Sequence, residues 1–304
     1  MKCGYLNESA GDSFAVIPEK IRITDFSLLF MKYQGNYFMK KTLIALAVAA
    51  SAAVSGSAMA AGWEQNGTGG SVELGGTLTP VTKATPWSVY TGSAVTDLNG
   101  QVQKGQSTVN VSVNKTIPVL GIRTTEAKMF AGAAGITPQI DYKGSIDISK
   151  FATGVVPLHL ELKDATNDSV IGSLEGRLTA AAIMSYSNSG STDINKITGS
   201  RGVYATTAGH AFFGGLTKDR QQMVYGPDVW ARLNKINSEF VVNFPSLKPS
   251  EYTSESFNKS GYTFNAVYGS GIEAGTSLTL KLNQPAASDA IAWKASLPVT
   301  VSYQ

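Results

Sequence analysis

Apolar and polar residues alternate along most of this chain. Val109, Val111 and Val113 are separated by Asn110 and Ser112, and Leu158, Leu160 and Leu162 by His159 and Glu161. Tyr262, Phe264, Ala266 and Tyr268 repeat the pattern, as do Leu278, Leu280 and Leu282. It recurs at Trp293, Ala295, Leu297, Val299, Val301 and Tyr303. In an extended backbone successive side chains point to opposite faces, so a period of two sets one face on a core and the other in water. Each run is bounded by Gly, Asn, Pro or Ser and predicts a half-buried strand. Several such runs predict an antiparallel all-β sandwich or barrel.

One stretch departs from this pattern. From about residue 185 to 250 the chain is rich in Gly, Ser and Thr and then carries Asp228 to Ile236, where Trp230, Leu233 and Ile236 share a helical face. Gly226-Pro227-Asp228 reads as a helix opening. The stretch predicts an insertion between two strands of the sandwich, with one or two short helices. No internal repeat is visible.

The two ends are informative. A polar, Gly-rich stretch from Gly62 to Gly70 leads into Ser71 to Thr79, in which Val72, Leu74, Gly76 and Leu78 share one face and no hairpin partner lies nearby. At the other end the sequence stops inside an amphipathic run, at Gln304. Residues 71–79 are either the first strand of their own domain or a strand lent to another. A sandwich short of one strand exposes an apolar groove and an unpaired edge, which an extended peptide can fill by β-augmentation. Burying Val72, Leu74 and Leu78 at roughly 1.5–3 kcal/mol each would supply about 5–9 kcal/mol, and Gly76 suits a shallow pocket. The pattern leaves both readings open.

Composition changes which residues count. Met39-Lys40-Lys41 is followed by an apolar run and an Ala58-x-Ala60 exit. These are the three parts of a secretory signal peptide, and the run is shorter than the roughly 20 residues that span a bilayer. Cleavage is expected after Ala60, with translation beginning at Met39 and residues 1–38 an upstream mis-called start. Of 304 residues, 244 then remain, and of 25 basic and 22 acidic side chains 19 and 18 remain. A near-neutral chain gives no electrostatic reason to expect nucleic acid as a partner. The one cysteine, Cys3, lies ahead of the leader, so the exported part has no disulfide, thiol nucleophile or thiolate ligand.

Catalytic signatures are thin: no His-Glu-x-x-His, no Gly-x-Ser-x-Gly and no phosphate-binding Gly-x-x-x-x-Gly-Lys occurs. Gly269-x-Gly271-x-x-Ala274 lies between two antiparallel strand candidates and reads as a turn, not a dinucleotide site. His159 is expected on a solvent face. His210, beside Phe212 and Phe213, is a core-edge residue or a sugar contact. Tyr204, His210, Arg220, Tyr225 and Trp230 are of the types that line sugar sites, although Trp230 suits a helix core and Arg201 and Arg220 suit a solvated surface. No enzyme, metal or cofactor is expected.

The leader and the ends resemble those of kappa-class chaperone–usher fimbrial subunits, the enterotoxigenic type of enterobacteria whose major subunit also serves as adhesin. The resemblance rests on Gly70-Ser71-Val72-Glu73-Leu74-Gly75-Gly76, Phe212-Phe213-Gly214-Gly215-Leu216, Tyr268-Gly269-Ser270-Gly271-Ile272 and the Trp293 to Tyr303 run, together with the lack of cysteine in the exported part. It implies an incomplete immunoglobulin-like sandwich spanning residues 81–304, with the insertion at about 185–250, completed by a donor strand carried on an extension at 61–80. It further implies a periplasmic chaperone, an outer-membrane usher and neighbouring copies of the chain as partners, with a host glycoprotein or glycolipid as receptor. The lent strand is Val72, Leu74, Gly76 and Leu78. The chaperone contacts are Leu297, Val299, Val301 and Tyr303. By position, the receptor residues are Tyr204, Thr206, Thr207 and His210, in a region expected to lie apart from both ends. The alternative is a purely structural pilin without receptor binding.

Overall fold

The computed structural model describes residues 65–66, 74–78, 84–287 and 289–304. Residues 1–38, the leader at 39–60 and Val72 of the expected lent strand lie outside the described residues. The chain divides into two units, Met1–Thr82 and Lys83–Gln304. In the first, Leu74 to Leu78 carry no strand pairing, and Leu74 and Leu78 are 93% and 97% exposed.

The second unit holds the strands β1 (Trp87–Thr91), β2 (Thr108–Ser112), β3 (Ile117–Thr124), β4 (Phe130–Ala131), β5 (Pro138–Asp141), β6 (Val155–Asp164), β7 (Val170–Ser187) and β8 (Gly199–Val203). They are followed by helix α1 (Asp228–Ile236) and strands β9 (Glu251–Thr253), β10 (Thr263–Ile272), β11 (Ser277–Leu282), β12 (Trp293–Lys294) and β13 (Thr300–Tyr303). It is an all-β, immunoglobulin-like sandwich with a small helical insert, as the alternation predicts. The 18-residue β7 is its axis. The first half of β7 pairs with β6 and β11, the second half with β10 and β8. From β10 the sheet continues through β3 to the edge strand β1, and from β11 to the edge strand β2. A separate ladder joins β5 to β13, Pro138 opposite Tyr303 and Asp141 opposite Thr300.

The inner faces of these strands close one core. At its centre Trp87, Phe130, Phe212, Phe257, Phe264 and Tyr268 pack ring against ring, Trp87 lying 4.9 Å from Phe130 and 5.0 Å from Phe257, and Phe212 stacked on Tyr268 at 5.5 Å. Offset and edge-on contacts of this kind add to the burial of large apolar surface.

A second core lies on the opposite face. Val229, Leu233 and Ile236 of α1, with Phe240, Val241 and Phe244 after it, cover Ala181 and Ile183 of β7 and Val267 of β10. Trp230 is half-buried beside this cluster. As a result all ten residues of β10 are buried, whereas alternation predicts only one buried face. The last two outward positions, Gly269 and Gly271, are small instead of polar. A Cβ on Gly269 would come within 2.6 Å of the Phe240 ring and 2.8 Å of Leu233, and one on Gly271 within 2.9 Å of Ile236; Gly121 lies under the same Phe240 ring. The Gly269-x-Gly271 pattern is therefore not a turn. It is the floor on which the insert sits, inside a strand, with a bulge between Ser270 and Gly271.

The buried hydroxyls of the main core pair with one another, as polar groups must where water is absent. The Tyr142 hydroxyl lies 2.9 Å from that of Tyr268 and 2.6 Å from Ser270 Oγ, and the Tyr268 hydroxyl donates to the Gly215 carbonyl at 3.2 Å. Burial pushes the Tyr142 hydroxyl up to about 12. Burial, then the neighbouring Tyr142, raises Tyr268 well above its ordinary value.

Two predictions follow from this packing. Replacing Gly269 by Ala forces a methyl into Phe240 and should cost about 1–3 kcal/mol by overpacking, read as a lower denaturant midpoint. A raised folded pKa contributes stability that is complete below the unfolded value of 10.0 and is lost as pH climbs towards about 12. Alkaline unfolding followed by circular dichroism should therefore show a loss of about 2–3 kcal/mol across that window from Tyr142, and Tyr142→Phe should remove this component.

Candidate functional site

The strongest surface feature of the sandwich is an open apolar groove. Its floor is Leu158 and Leu160 of β6, Leu174 of β7, Leu278 of β11 and Ile272 of β10. One wall is the irregular segment from Thr91 to Gly100, together with Ile117 to Val119 of β3. The other wall is Trp293 to Val299, and the enclosed volume is about 650 Å³. A second hollow of about 400 Å³ continues it over Val109, Val111, Leu162, Leu280 and Leu282. The two share Asn99, Gly100, Ile291 and Trp293.

The walls are as notable as the floor. Among the described residues, 295–299 between β12 and β13 make no backbone hydrogen bond, and on the opposite wall 93–99 make only the local one from the Asn99 N–H to the Asp97 carbonyl at 3.0 Å. Backbone donors and acceptors beside apolar surface demand partners. Trp293, Ala295, Leu297, Val299, Val301 and Tyr303 alternate perfectly with exposed residues, yet each is only half-buried. Their inward face meets the floor on one side and nothing on the other. The expected single strand from Trp293 to Tyr303 is broken into β12 and β13 for the same reason: the intervening residues have no ladder partner.

The residues expected to bind a receptor lie in the loop after β8. Tyr204 is half-buried, and its N–H donates to the Thr253 carbonyl at 3.0 Å. Thr206 and Thr207 are exposed and His210 is half-buried. His210 Nδ1 lies 3.0 Å from Thr206 Oγ1 and 2.8 Å from Ser254 Oγ, and Thr206 N–H donates to Ser254 Oγ at 3.0 Å. The structure thus joins Thr206 and His210 through Ser254, a residue that carries no signal in the sequence. These polar atoms hold the loop's own shape.

This loop does not lie apart from the C-terminal strand, contrary to expectation. Gln139 of β5 accepts from Gly209 N–H at 2.9 Å and donates to the His210 carbonyl at 2.9 Å, while the other edge of β5 carries β13. One strand separates the two surfaces. The Phe-Phe-Gly-Gly motif is what docks the loop. Phe212 enters the core at φ 60°, and Gly214, at φ 86°, lies so close to the Ile140 carbonyl that no side chain fits. Only glycine adopts that backbone without strain.

Arg201, which the sequence suggested as a solvated side chain, lies over the Tyr186 ring at 4.4 Å and pairs with Glu251 at 2.9 Å and Glu255 at 3.3 Å. Arg220 is exposed, 5.2 Å over Tyr252, and His159 is exposed as expected. Tyr225 is exposed, with its ring 4.9 Å from Tyr252. Among the described residues no group of three or more His, Cys, Asp or Glu could hold a metal ion.

Over residues 39–304 the chain matches the K88 fimbrial family, described as "Fimbrial, major and minor subunit". It is 29% identical over 296 residues to the F41 fimbrial protein of Escherichia coli, covering 87% of this chain and 100% of the relative. It is 30% identical over 304 residues to the K88 fimbrial protein AD of Escherichia coli, with the same coverage.

Because the loop polar atoms are satisfied internally, Ser254→Ala and His210→Ala should each lower stability by about 1 kcal/mol. Phe212→Ala, which empties a core position, should cost about 3–5 kcal/mol. Denaturant midpoints of the three variants check this order.

Proposed function

The chain belongs to the K88-type family of major and minor fimbrial subunits, and from that membership we propose that it polymerises by donor-strand exchange. Residues 71–79 of one subunit fill the groove of the next. The observation that supports this reading is the groove itself, an apolar floor between two walls whose backbone groups lack partners among the described residues. An extended peptide laid between them gains a ladder on each side, at roughly 1 kcal/mol per hydrogen bond, while its alternate side chains meet the leucines of the floor. Val72, Leu74 and Leu78 supply such side chains, and Gly76 fits where the floor is shallow. Before assembly a periplasmic chaperone lends the strand, gripping the wall at Leu297 and Val299 and the adjoining Val301 and Tyr303, and an outer-membrane usher passes subunits to the growing fibre. The assembled copies form an appendage on the cell surface.

Adhesion to a host glycoprotein or glycolipid through Tyr204, Thr206, Thr207 and His210 is the finer part of the proposal. A specific observation favours a structural pilin instead at this loop: the Thr206, His210 and Ser254 side chains bond to one another rather than pointing free into solvent. Tyr204 and Thr207 make no such side-chain bonds and are the better candidates for sugar contacts.

Leu74→Asp or Leu78→Asp puts a carboxylate among the leucines of the neighbouring groove, at a cost of several kcal/mol. Either variant should form the chaperone complex but yield no polymer on electron microscopy. Normal fibres from both would reassign the lent segment. Tyr204→Ala should assemble in normal amounts and lose binding to epithelial glycans on a glycan array. A wild-type fibre that binds no glycan would leave the structural pilin as the function.

A further inference from the structure

We propose that Asn99 is a site of spontaneous deamidation that disables the groove of a subunit whose strand is missing. The inference rests on the donor-strand reading. Asn99-Gly100 is an Asn-Gly pair in the irregular wall where the two hollows meet. Both residues are exposed. Among the described residues no hydrogen bond reaches the Asn99 side chain, and the Gly100 N–H donates no backbone hydrogen bond. The chemistry needs this combination. The Gly100 nitrogen attacks Asn99 Cγ, the new N–Cγ bond closes a five-membered imide, and the Cγ–Nδ2 bond breaks with release of ammonia. Water then opens the ring at either carbonyl, leaving aspartate or an isoaspartyl link. A glycine at the second position removes the Cβ that would hinder the approach, and an unpaired wall can adopt the geometry the attack requires.

Asn66, in the extension, is also followed by glycine and is exposed, and it is the reference pair for the test; Asn265 and Asn188 are not followed by glycine. Asn265 is buried and its amide donates to the Lys128 and Asn243 carbonyls. Asn188 is exposed but is held by Thr198 and followed by Ser189. The consequence follows from what flanks Asn99. Leu98 on one side packs against the main core, and Gly100 on the other sits so close to β2 that a Cβ there would lie 2.9 Å from Val111 Cγ2. An isoaspartyl link adds a backbone carbon between these two anchors and a carboxylate at the junction of the hollows, so the wall can no longer keep register with an incoming strand. A strand already in place orders the wall and shields it.

The test uses the mature chain carrying Leu74→Asp, which cannot donate and so keeps its groove open, incubated at neutral pH with and without a synthetic peptide of residues 71–79. Peptide mapping follows the conversion of the side-chain NH2 to OH, and isoaspartyl content is measured separately. Asn99 should convert faster than the exposed Asn188 and Asn258, and the peptide should slow it about tenfold while leaving the Asn66-Gly67 pair unaffected. The aged subunit should bind the peptide about tenfold more weakly, and Asn99→Gln should age without that loss. Conversion of Asn99 no faster than Asn188 overturns the site. Conversion with undiminished peptide binding, or at an unchanged rate while the peptide is bound, overturns its role. A fresh groove that takes up no peptide counts against the donor-strand reading instead, and the conversion rate then decides the site.

Discussion

Phe240 rests on the outer face of the sheet because Gly121 and Gly269 leave it room, and much of the domain depends on that contact. It lets the segment after α1 lie flat on β3 and β10, so β10 and the second half of β7 are covered on both sides. Strands buried on both faces lose the polar outward positions that usually accompany a sheet. Here those positions are Ala181, Ile183, Val267, Gly269 and Gly271. Rigidity is thereby concentrated at the centre of the sandwich.

That centre anchors the other surfaces. The aromatic cluster around Phe212 and Tyr268 holds the Phe-Phe-Gly-Gly loop, which lies along one edge of β5, while the other edge of β5 holds β13. The Tyr142, Tyr268 and Ser270 hydroxyls tie the chain after β5 to β10 and to Gly215. A loop of polar residues and the C-terminal strand thus share one support, so a change in the packing of β5 reaches both.

The open side of the sandwich contrasts with this satisfied interior. There the two walls leave backbone groups without protein partners, among the described residues, beside a leucine floor. In the proposed donor-strand assembly this groove is where one copy would join the next, and directionality would follow because the filling strand belongs to a different copy.

The sequence by itself determined the strands with a period of two, the helix at Asp228–Ile236 and which residues of the run from Trp293 to Tyr303 face inward, because strand and helix periods follow from local backbone geometry. It also marked the family, through short glycine and aromatic motifs whose order the fold requires. What those motifs do was decided by tertiary structure. Gly269 and Gly271 read as a turn, since nothing local reveals that Phe240 and Ile236 will pack over them. The half-burial predicted for β10 became full burial because a segment some 30 residues earlier in the chain covers its second face. Ser254, Gln139 and the wall from Thr91 to Gly100 carried no signal, because their roles arise from contacts between residues distant in the chain. Alternation records which side chains avoid water; it does not record which surface they will meet.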